Sequence, residues 1–237
     1  MDRLNVTDQL VADLARQVEP FVRAATGWNL KLDTLRTRAL PKNRGYEEVL
    51  LGRLTGAGIA VDAEGRRGII ERLIEYIIEG AILAAYQPAT GELLVIRENV
   101  DDSNLDGLRL LIAHELVHRG QHLHHPELFQ RIDTMIRDTV ASMNNDAASV
   151  RDVWQRASRI QPLMTIIESH AHYVQEELRE NCYPDAVVES HMDLPALLFR
   201  ILGHGKVAQY TNGIPTVAAA SAKGDIDSLY NRFTNAP

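Results

Sequence analysis

The stretch His114-Glu115-Leu116-Val117-His118 lies at the centre of a predicted helix, and the rest of the chain is organised around it. Two histidines four residues apart lie on one face of a helix, one turn above the other. This spacing allows two imidazoles to bind one tetrahedral zinc ion. Glu115, next to the first histidine, is placed to reach a water on the metal and to act as a general base. The pattern therefore predicts His114 and His118 as zinc ligands.

The residues around this stretch favour a helix. Ser103 or Asn104 can cap its start, and Asp106 is favourable in its first turn. Without a metal, the two histidines would simply be packed or solvated side chains on that helix. The apolar side of the helix consists of Leu105, Leu108, Leu111, Ile112 and Leu116.

Composition excludes several classes of protein. The chain has 237 residues and a net charge of −7, and its basic residues are scattered, so we expect no nucleic-acid partner. A single cysteine, Cys182, rules out an internal disulfide framework, and we expect an inert thiol. No stretch is long and apolar enough to span a membrane, and the first residues lack the features of a signal peptide. We therefore expect a cytoplasmic protein with no membrane partner.

The first half of the chain contains both helical and extended patterns. Residues 7–26 have the apolar spacing of an amphipathic helix, residues 29–39 alternate as a half-buried strand, and residues 67–79 predict another helix. Residues 81–86 and 92–96 form the clearest predicted hairpin. A strand directly before the zinc helix can lie along the rim of a cleft, where an extended peptide could pair with a free edge.

The second half is predicted to be helical. The fold class is therefore α+β, mostly helical, with a small antiparallel sheet before the zinc helix. We see no linker and expect a single domain over 1–237, with the sheet and active-site helix in 1–125 and a helical part in 126–237. The predicted helices are 127–144, 148–180 (with a possible split near Pro162), 194–202, 206–210, 214–222 and 226–233.

A catalytic zinc ion usually has three protein ligands, and Glu168 is the leading candidate for the third. It lies on a later predicted helix among apolar residues, where a carboxylate needs a partner because burying it alone is costly. His172, one turn along that helix, can support the site without binding the metal.

At this point the chain resembles the gluzincins, zinc metallopeptidases with an H-E-x-x-H helix and a glutamate ligand on a later helix. The stretch Glu168-Ser-His-Ala-His-Tyr-Val174 resembles the E-G-x-A-x-x-V signature of a bacterial zincin-like family associated with deazaflavin-cofactor biosynthesis. Residues 209–213, Gln-Tyr-Thr-Asn-Gly, resemble the tail of that family. The resemblance covers roughly residues 80–237. The chain departs from the pattern at Ser169, where glycine is usual, and at His172, where many gluzincins have an acidic residue.

Two other metal sites are conceivable from the sequence. In metzincins the third ligand is a histidine six residues after the second, and His124 has that spacing. That motif needs a glycine where this chain has Gln121, so that the chain can turn back. His122 is more readily a solvated or supporting histidine. A ferritin-like dinuclear site would need a second Glu-x-x-His, which is missing because Ala171 follows Glu168 at that spacing.

The expected chemistry is hydrolysis with Zn²⁺ as cofactor, and the gluzincin resemblance implies a peptide or protein substrate. A further donor should stabilise the oxyanion. Among Tyr183, His191, His204 and Tyr210 we select His191 and Tyr210 as candidates. One rival function is a metal-dependent hydrolase or transferase acting on a small molecule, which a narrow pocket would favour. The other rival is a non-catalytic scaffold stabilised by a metal, against which Glu115 argues because a structural site needs no base.

Overall fold

The computed structural model of the chain describes residues 5–42, 44–45, 48–49, 83–100, 103–143, 150–187 and 213–235. Within these ranges the structure is mostly helical with one small sheet, as the sequence predicts. The predicted helices at 67–79, 194–202 and 206–210 lie outside the described residues. The described elements are α1 (Asp8–Thr26), β1 (Arg36–Leu40), β2 (Ala84–Gln87), β3 (Glu92–Ile96), α2 (Leu105–His124), α3 (Pro126–Met143), α4 (Val150–Cys182), α5 (Ile214–Ser221) and α6 (Ile226–Asn235).

Helix α1 begins and ends where its sequence predicts. The hydroxyl of Thr7 accepts a hydrogen bond from the Leu10 backbone N–H at 3.2 Å, which caps the first turn. Gly27, in the left-handed region with φ +74°, ends the helix. The predicted apolar stripe faces the core, with Val11, Leu14, Val18 and Val22 buried.

The sheet is mixed, whereas the sequence predicted an antiparallel one. The predicted hairpin is confirmed: β2 pairs antiparallel with β3, with Ala84 opposite Val95. Strand β1, however, pairs parallel with β3, with Arg36 opposite Glu92. A parallel pair needs a long crossover connection, and the long segment between β1 and the hairpin allows one. The observed strand β1 is shorter than the strand predicted at 29–39 and begins later in the chain, because a 3₁₀ turn occupies Leu32–Thr34.

The strand order is β1-β3-β2, so β3 is central. The prediction that the strand directly before the zinc helix lies at the cleft rim is therefore wrong for β3, which pairs on both sides. Among the described strands, β2 lies at one edge of the sheet, and it is the strand that contacts α2. The edge strand near the predicted site is thus Ala84–Gln87.

Helix α2 is the centre of the fold. It packs most extensively against α1 and α4, and it also contacts the sheet through β2. The side chain of Asn104 caps its start, accepting from the Gly107 N–H at 2.8 Å. Most of α2 is buried, including both histidines of the H-E-x-x-H stretch. Because neighbours surround it, α2 has no polar outer face.

The C-terminal helices follow the predicted pattern with one change. Pro126 opens α3, where its missing N–H costs no hydrogen bond. Helix α4 runs through Pro162 as one element rather than splitting there. One buried apolar cluster includes residues from all six described helices and from β2 and β3. Within the described ranges, we find no helix whose length and apolar character would let it cross a membrane.

Candidate metal centre

The two histidines of the central stretch point their Nε2 atoms at the same spot. The Nε2 atoms of His114 and His118 lie 3.1 Å apart, and the rings meet edge to face. Both side chains are buried, with 4% and 8% of their residue surface exposed. The four-residue spacing on α2 therefore produces the convergence that the sequence predicts.

Glu168 joins the two histidines from the neighbouring helix. Its Oε2 lies 3.5 Å from His114 Nε2, and its Oε1 lies 3.5 Å from His118 Nε2. The residue is buried, with 6% of its surface exposed. The structure thus brings together the three residues predicted as ligands, and their binding of a metal stays a prediction.

This donor set fits a zinc ion. Two imidazole nitrogens and one carboxylate are a common ligand set for catalytic zinc. Nitrogens about 2.1 Å from one tetrahedral zinc ion lie about 3.4 Å apart, close to the separation found between His114 and His118. Glu168 Oε1 is buried and has no hydrogen-bond partner among the described residues. A cation would satisfy this oxygen.

The charge state of Glu168 also suits a ligand. Burial raises the pKa of the Glu168 carboxyl, but the adjacent imidazoles of His118 and His114 lower it by more. They hold that pKa well below its usual range. The carboxyl is therefore ionised at neutral pH, the state in which it can bind a metal.

Glu115 lies on the sheet side of this group. Its Oε2 accepts a hydrogen bond from the backbone N–H of Tyr86 in β2 at 2.6 Å. The group formed by His114, Glu115 and His118 has potential ligand atoms within 4.8 Å of one another. The predicted base is thus held beside the predicted metal position by the edge strand.

A second layer of polar groups lies behind His118, and the sequence analysis did not find it. Gln121, on the next turn of α2, places Oε1 2.8 Å from His118 Nδ1. Its Nε2 donates to the carbonyl of Ile167 and to the hydroxyl of Tyr230, both at 2.8 Å. The Tyr230 hydroxyl also lies 2.9 Å from Nδ1 of His170. The available sequence clue was the three-residue spacing from His118 to Gln121, which places both on one helix face.

These groups are deeply buried and uncharged. Burial above all, with the neighbouring imidazoles of His118 and His125 adding to it, lowers the pKa of His170 to about 3, so its imidazole is neutral at neutral pH. Burial raises the pKa of Tyr230 well above 10.0. The ring of Trp28 packs edge-on against His170, with 5.2 Å between centroids.

The other histidines near the central stretch lie elsewhere. His124 is exposed and stacks on Trp28, with ring centroids 5.5 Å apart. Helix α2 continues through His124 instead of turning back at Gln121, so the metzincin alternative is wrong. His122 Nδ1 lies 3.0 Å from the Tyr86 hydroxyl. His172 is half-buried on α4.

Gly120 shows why the nearest glycine does not form the metzincin turn. A Cβ at this position would lie 2.6 Å from Cε3 of Trp28. The glycine therefore serves a close approach of α2 to the Trp28 ring within a continuous helix.

Ser169, which stands where the signature that the sequence resembles has glycine, has a glycine opposite it in the structure. A Cβ on Gly213 would lie 1.9 Å from the Ser169 hydroxyl oxygen and 3.0 Å from Cγ2 of Thr165. Ser169 is fully buried. The start of α5 therefore approaches α4 directly beside Glu168. The space between the two helices accommodates a side chain at position 169 or at position 213, but not at both.

The predicted oxyanion donors His191 and Tyr210 lie outside the described residues, as does His204. Tyr183 lies just beyond α4, where the Arg109 guanidinium stands 5.6 Å from its ring centre. Cys182 is an exposed free thiol.

No protein-family model, curated protein or solved structure matches this chain.

Proposed function

We propose that this protein is a zinc-dependent metallopeptidase that hydrolyses peptide bonds. The observation that carries the proposal is the meeting of His114, His118 and Glu168 within 3.5 Å, with Glu115 beside them. Two histidines and an ionised carboxylate form a three-ligand set that leaves one tetrahedral position for a reactant. A purely structural zinc site usually has four protein ligands and no adjacent base.

His114, His118 and Glu168 would hold the zinc ion. Bound zinc would act as a Lewis acid that polarises a carbonyl and lowers the pKa of a water to about 7. The burial of all three residues keeps bulk water away and strengthens their electrostatic effect on a bound substrate.

Glu115 acts as the general base in this proposal. It takes the proton from the attacking water and then delivers it to the leaving amine nitrogen. The hydrogen bond from the Tyr86 N–H to Oε2 holds the Glu115 carboxylate beside the proposed metal ligands. The base is therefore oriented by backbone before substrate binds.

The edge strand β2 supports a peptide as substrate. The bond from the Ile96 N–H to the Leu83 carbonyl makes these residues a hydrogen-bonded pair of the hairpin. The pairs alternate, so the backbone groups of Ala84 and Tyr86 face away from β3. The Tyr86 N–H is already bonded to Glu115, so an extended peptide would pair with the Ala84 backbone groups and the Tyr86 carbonyl by β-augmentation.

A small-molecule hydrolase is the second candidate, and the burial of the site favours it. Glu115 and Glu168 have only 2% and 6% of their surface exposed. A narrow, closed pocket admits a small substrate more readily than an extended chain.

Metal content and peptide cleavage together test the proposal. We expect about one zinc ion per chain by elemental analysis, lost in Glu168→Ala and kept in His124→Ala. A peptide library incubated with the zinc-loaded protein should give cleavage products by mass spectrometry that are absent with Glu115→Gln. A folded wild-type protein that takes up no added zinc would overturn the whole proposal. Zinc binding without cleavage of any peptide, but with Glu115-dependent hydrolysis of small esters or amides, would favour the second candidate.

A further inference from the structure

Gln121 is the best-connected polar side chain behind the candidate metal centre. It is fully buried, and it lies one turn beyond His118 on α2. Its Nε2 lies 2.8 Å from the backbone carbonyl of Ile167. A carbonyl oxygen only accepts hydrogen bonds, so the amide atom that faces it must be the nitrogen. The orientation of the Gln121 amide is thereby fixed.

This orientation determines the tautomer of His118. With the amide nitrogen turned to Ile167, the atom that faces His118 Nδ1 at 2.8 Å is the oxygen Oε1. The amide oxygen can only accept, so Nδ1 carries the proton. A neutral imidazole has one N–H, which leaves the lone pair on Nε2. That atom is the one 3.1 Å from His114 Nε2 and 3.5 Å from Glu168 Oε1.

Two further buried groups hold the amide in place. The second hydrogen of Gln121 Nε2 goes to the Tyr230 hydroxyl oxygen at 2.8 Å. With its oxygen accepting that bond, the hydroxyl donates its own hydrogen to Nδ1 of His170 at 2.9 Å. Tyr230 and His170 have 0% and 1% of their surface exposed. Hydrogen bonds in such a dry, connected set strengthen one another.

We propose that Gln121 is a positioning residue that fixes His118 in its Nδ1–H tautomer and so directs the Nε2 lone pair at the metal position. Tyr230 supports it by holding the amide. The role of the lone pair rests on the proposed function, whereas the tautomer itself does not. Residues that orient metal-binding histidines in this way typically change metal affinity by about 10- to 100-fold when replaced.

The first test reads the tautomer directly in the metal-free wild-type protein. Long-range ¹⁵N–¹H correlation spectra of the imidazoles, recorded near pH 8, distinguish a protonated Nδ1 from a protonated Nε2. We expect the Nδ1–H form for His118. Finding the Nε2–H form would overturn the inference, and no variant has to fold for this result to be read.

The second test uses Gln121→Met, which keeps the length of the side chain and removes its polar atoms. We expect zinc affinity, measured by chelator competition, to fall about 10- to 100-fold. The Co²⁺ d–d spectrum should change as well, because the ligand geometry loosens. Gln175→Met is the matched control, since Gln175 is also buried and its Nε2 has no hydrogen-bond partner among the described residues. Wild-type affinity and an unchanged Co²⁺ spectrum in folded Gln121→Met would overturn the inference.

The two proposals fail in different ways. If His118 has the Nδ1–H form but the wild-type protein binds no zinc, the proposed function falls and the positioning role of Gln121 stands. If zinc binds but His118 has the Nε2–H form without metal, the positioning role falls and the proposed function stands.

Discussion

The backbone N–H of Tyr86 donates a 2.6 Å hydrogen bond to the carboxylate of Glu115. The donor belongs to an edge strand, and the acceptor is the proposed general base in the helix beneath it. Because the Tyr86 N–H faces away from β3, this bond uses a backbone N–H that takes no part in pairing with β3. The hydrogen bond between the Tyr86 nitrogen and Glu115 Oε2 thus links the edge strand directly to the candidate site.

Glu115→Gln should retain zinc and lose hydrolysis. The glutamine carbonyl oxygen can still accept from the Tyr86 N–H, so we expect the side chain to keep its place. Its amide cannot take a proton from water, and loss of a general base typically slows turnover by about 10²- to 10⁴-fold. Zinc content and cleavage rate, measured on the same sample, check the retention of zinc and the loss of hydrolysis. Full activity in this variant would remove Glu115 from the mechanism.

Tyr86→Pro should slow hydrolysis more than Tyr86→Ala does. Both variants lose the tyrosine side chain, but only proline loses the N–H that orients Glu115. Proline is tolerated on edge strands where the N–H faces outward, so the pairing with β3 should survive. Hydrogen bonds to charged groups contribute roughly 1.5–3 kcal/mol, which predicts about a 10- to 100-fold difference in kcat/KM between the two variants. Equal rates would mean that the backbone bond has no part in catalysis.

Glu168→Ala should abolish stoichiometric zinc binding, whereas His124→Ala should leave it unchanged. Glu168 lies 3.5 Å from both histidine Nε2 atoms, and His124 stacks on Trp28 instead. Elemental analysis after dialysis measures the metal directly. The reverse pattern would move the third ligand to the end of α2.

Gly213→Ala should destabilise the fold by about 1–3 kcal/mol, because its Cβ would overlap the Ser169 hydroxyl. Removing the Ser169 side chain makes room for that Cβ. The double variant Ser169→Gly with Gly213→Ala should therefore recover part of the loss, with a coupling energy of about 0.5–3 kcal/mol. Urea unfolding of the two single variants and the double variant measures it. Strictly additive losses would show that the two positions do not compete for space.

Tyr230 should make folding less favourable at alkaline pH. Its pKa in the folded protein lies well above the ordinary value of 10.0, because burial disfavours the anion. Above about pH 10 the unfolded chain releases this proton while the folded protein retains it, so stability falls as pH rises. Tyr230→Phe should make this fall with pH less steep above about pH 10, by up to one proton released per chain on unfolding, as measured by urea unfolding at a series of pH values. An unchanged slope would place the Tyr230 hydroxyl in contact with water.

The parts of the structure that follow local patterns were predictable from the sequence. Helix α1, the β2–β3 hairpin and the central helix depend on caps, turns and apolar spacing within a few residues. The meeting of Glu168 with the two histidines was predictable because a buried carboxylate needs a partner.

The parts that depend on distant pairing were not predictable. The parallel contact of β1 with β3 makes the sheet mixed, and nothing local in 36–40 selects that partner. Tyr230 reaches Gln121 across 109 positions of chain, and a tyrosine in a short amphipathic helix gives no sign of such a contact. The role of Gln121 follows from that contact and from the Ile167 carbonyl, so it is visible only in three dimensions.

The link between Gln121 and Tyr230 also has a consequence for biosynthesis. At roughly 5–20 residues per second, the ribosome adds Tyr230 about 5–20 s after Gln121. During that interval the nascent chain already carries both histidines, but the hydroxyl that holds the Gln121 amide has not yet been made. A metal ion bound in this period would be held by a His118 side chain that Gln121 does not yet position firmly, and it would dissociate quickly. Durable loading would therefore be a late event in the life of the chain, completed only when α6 docks.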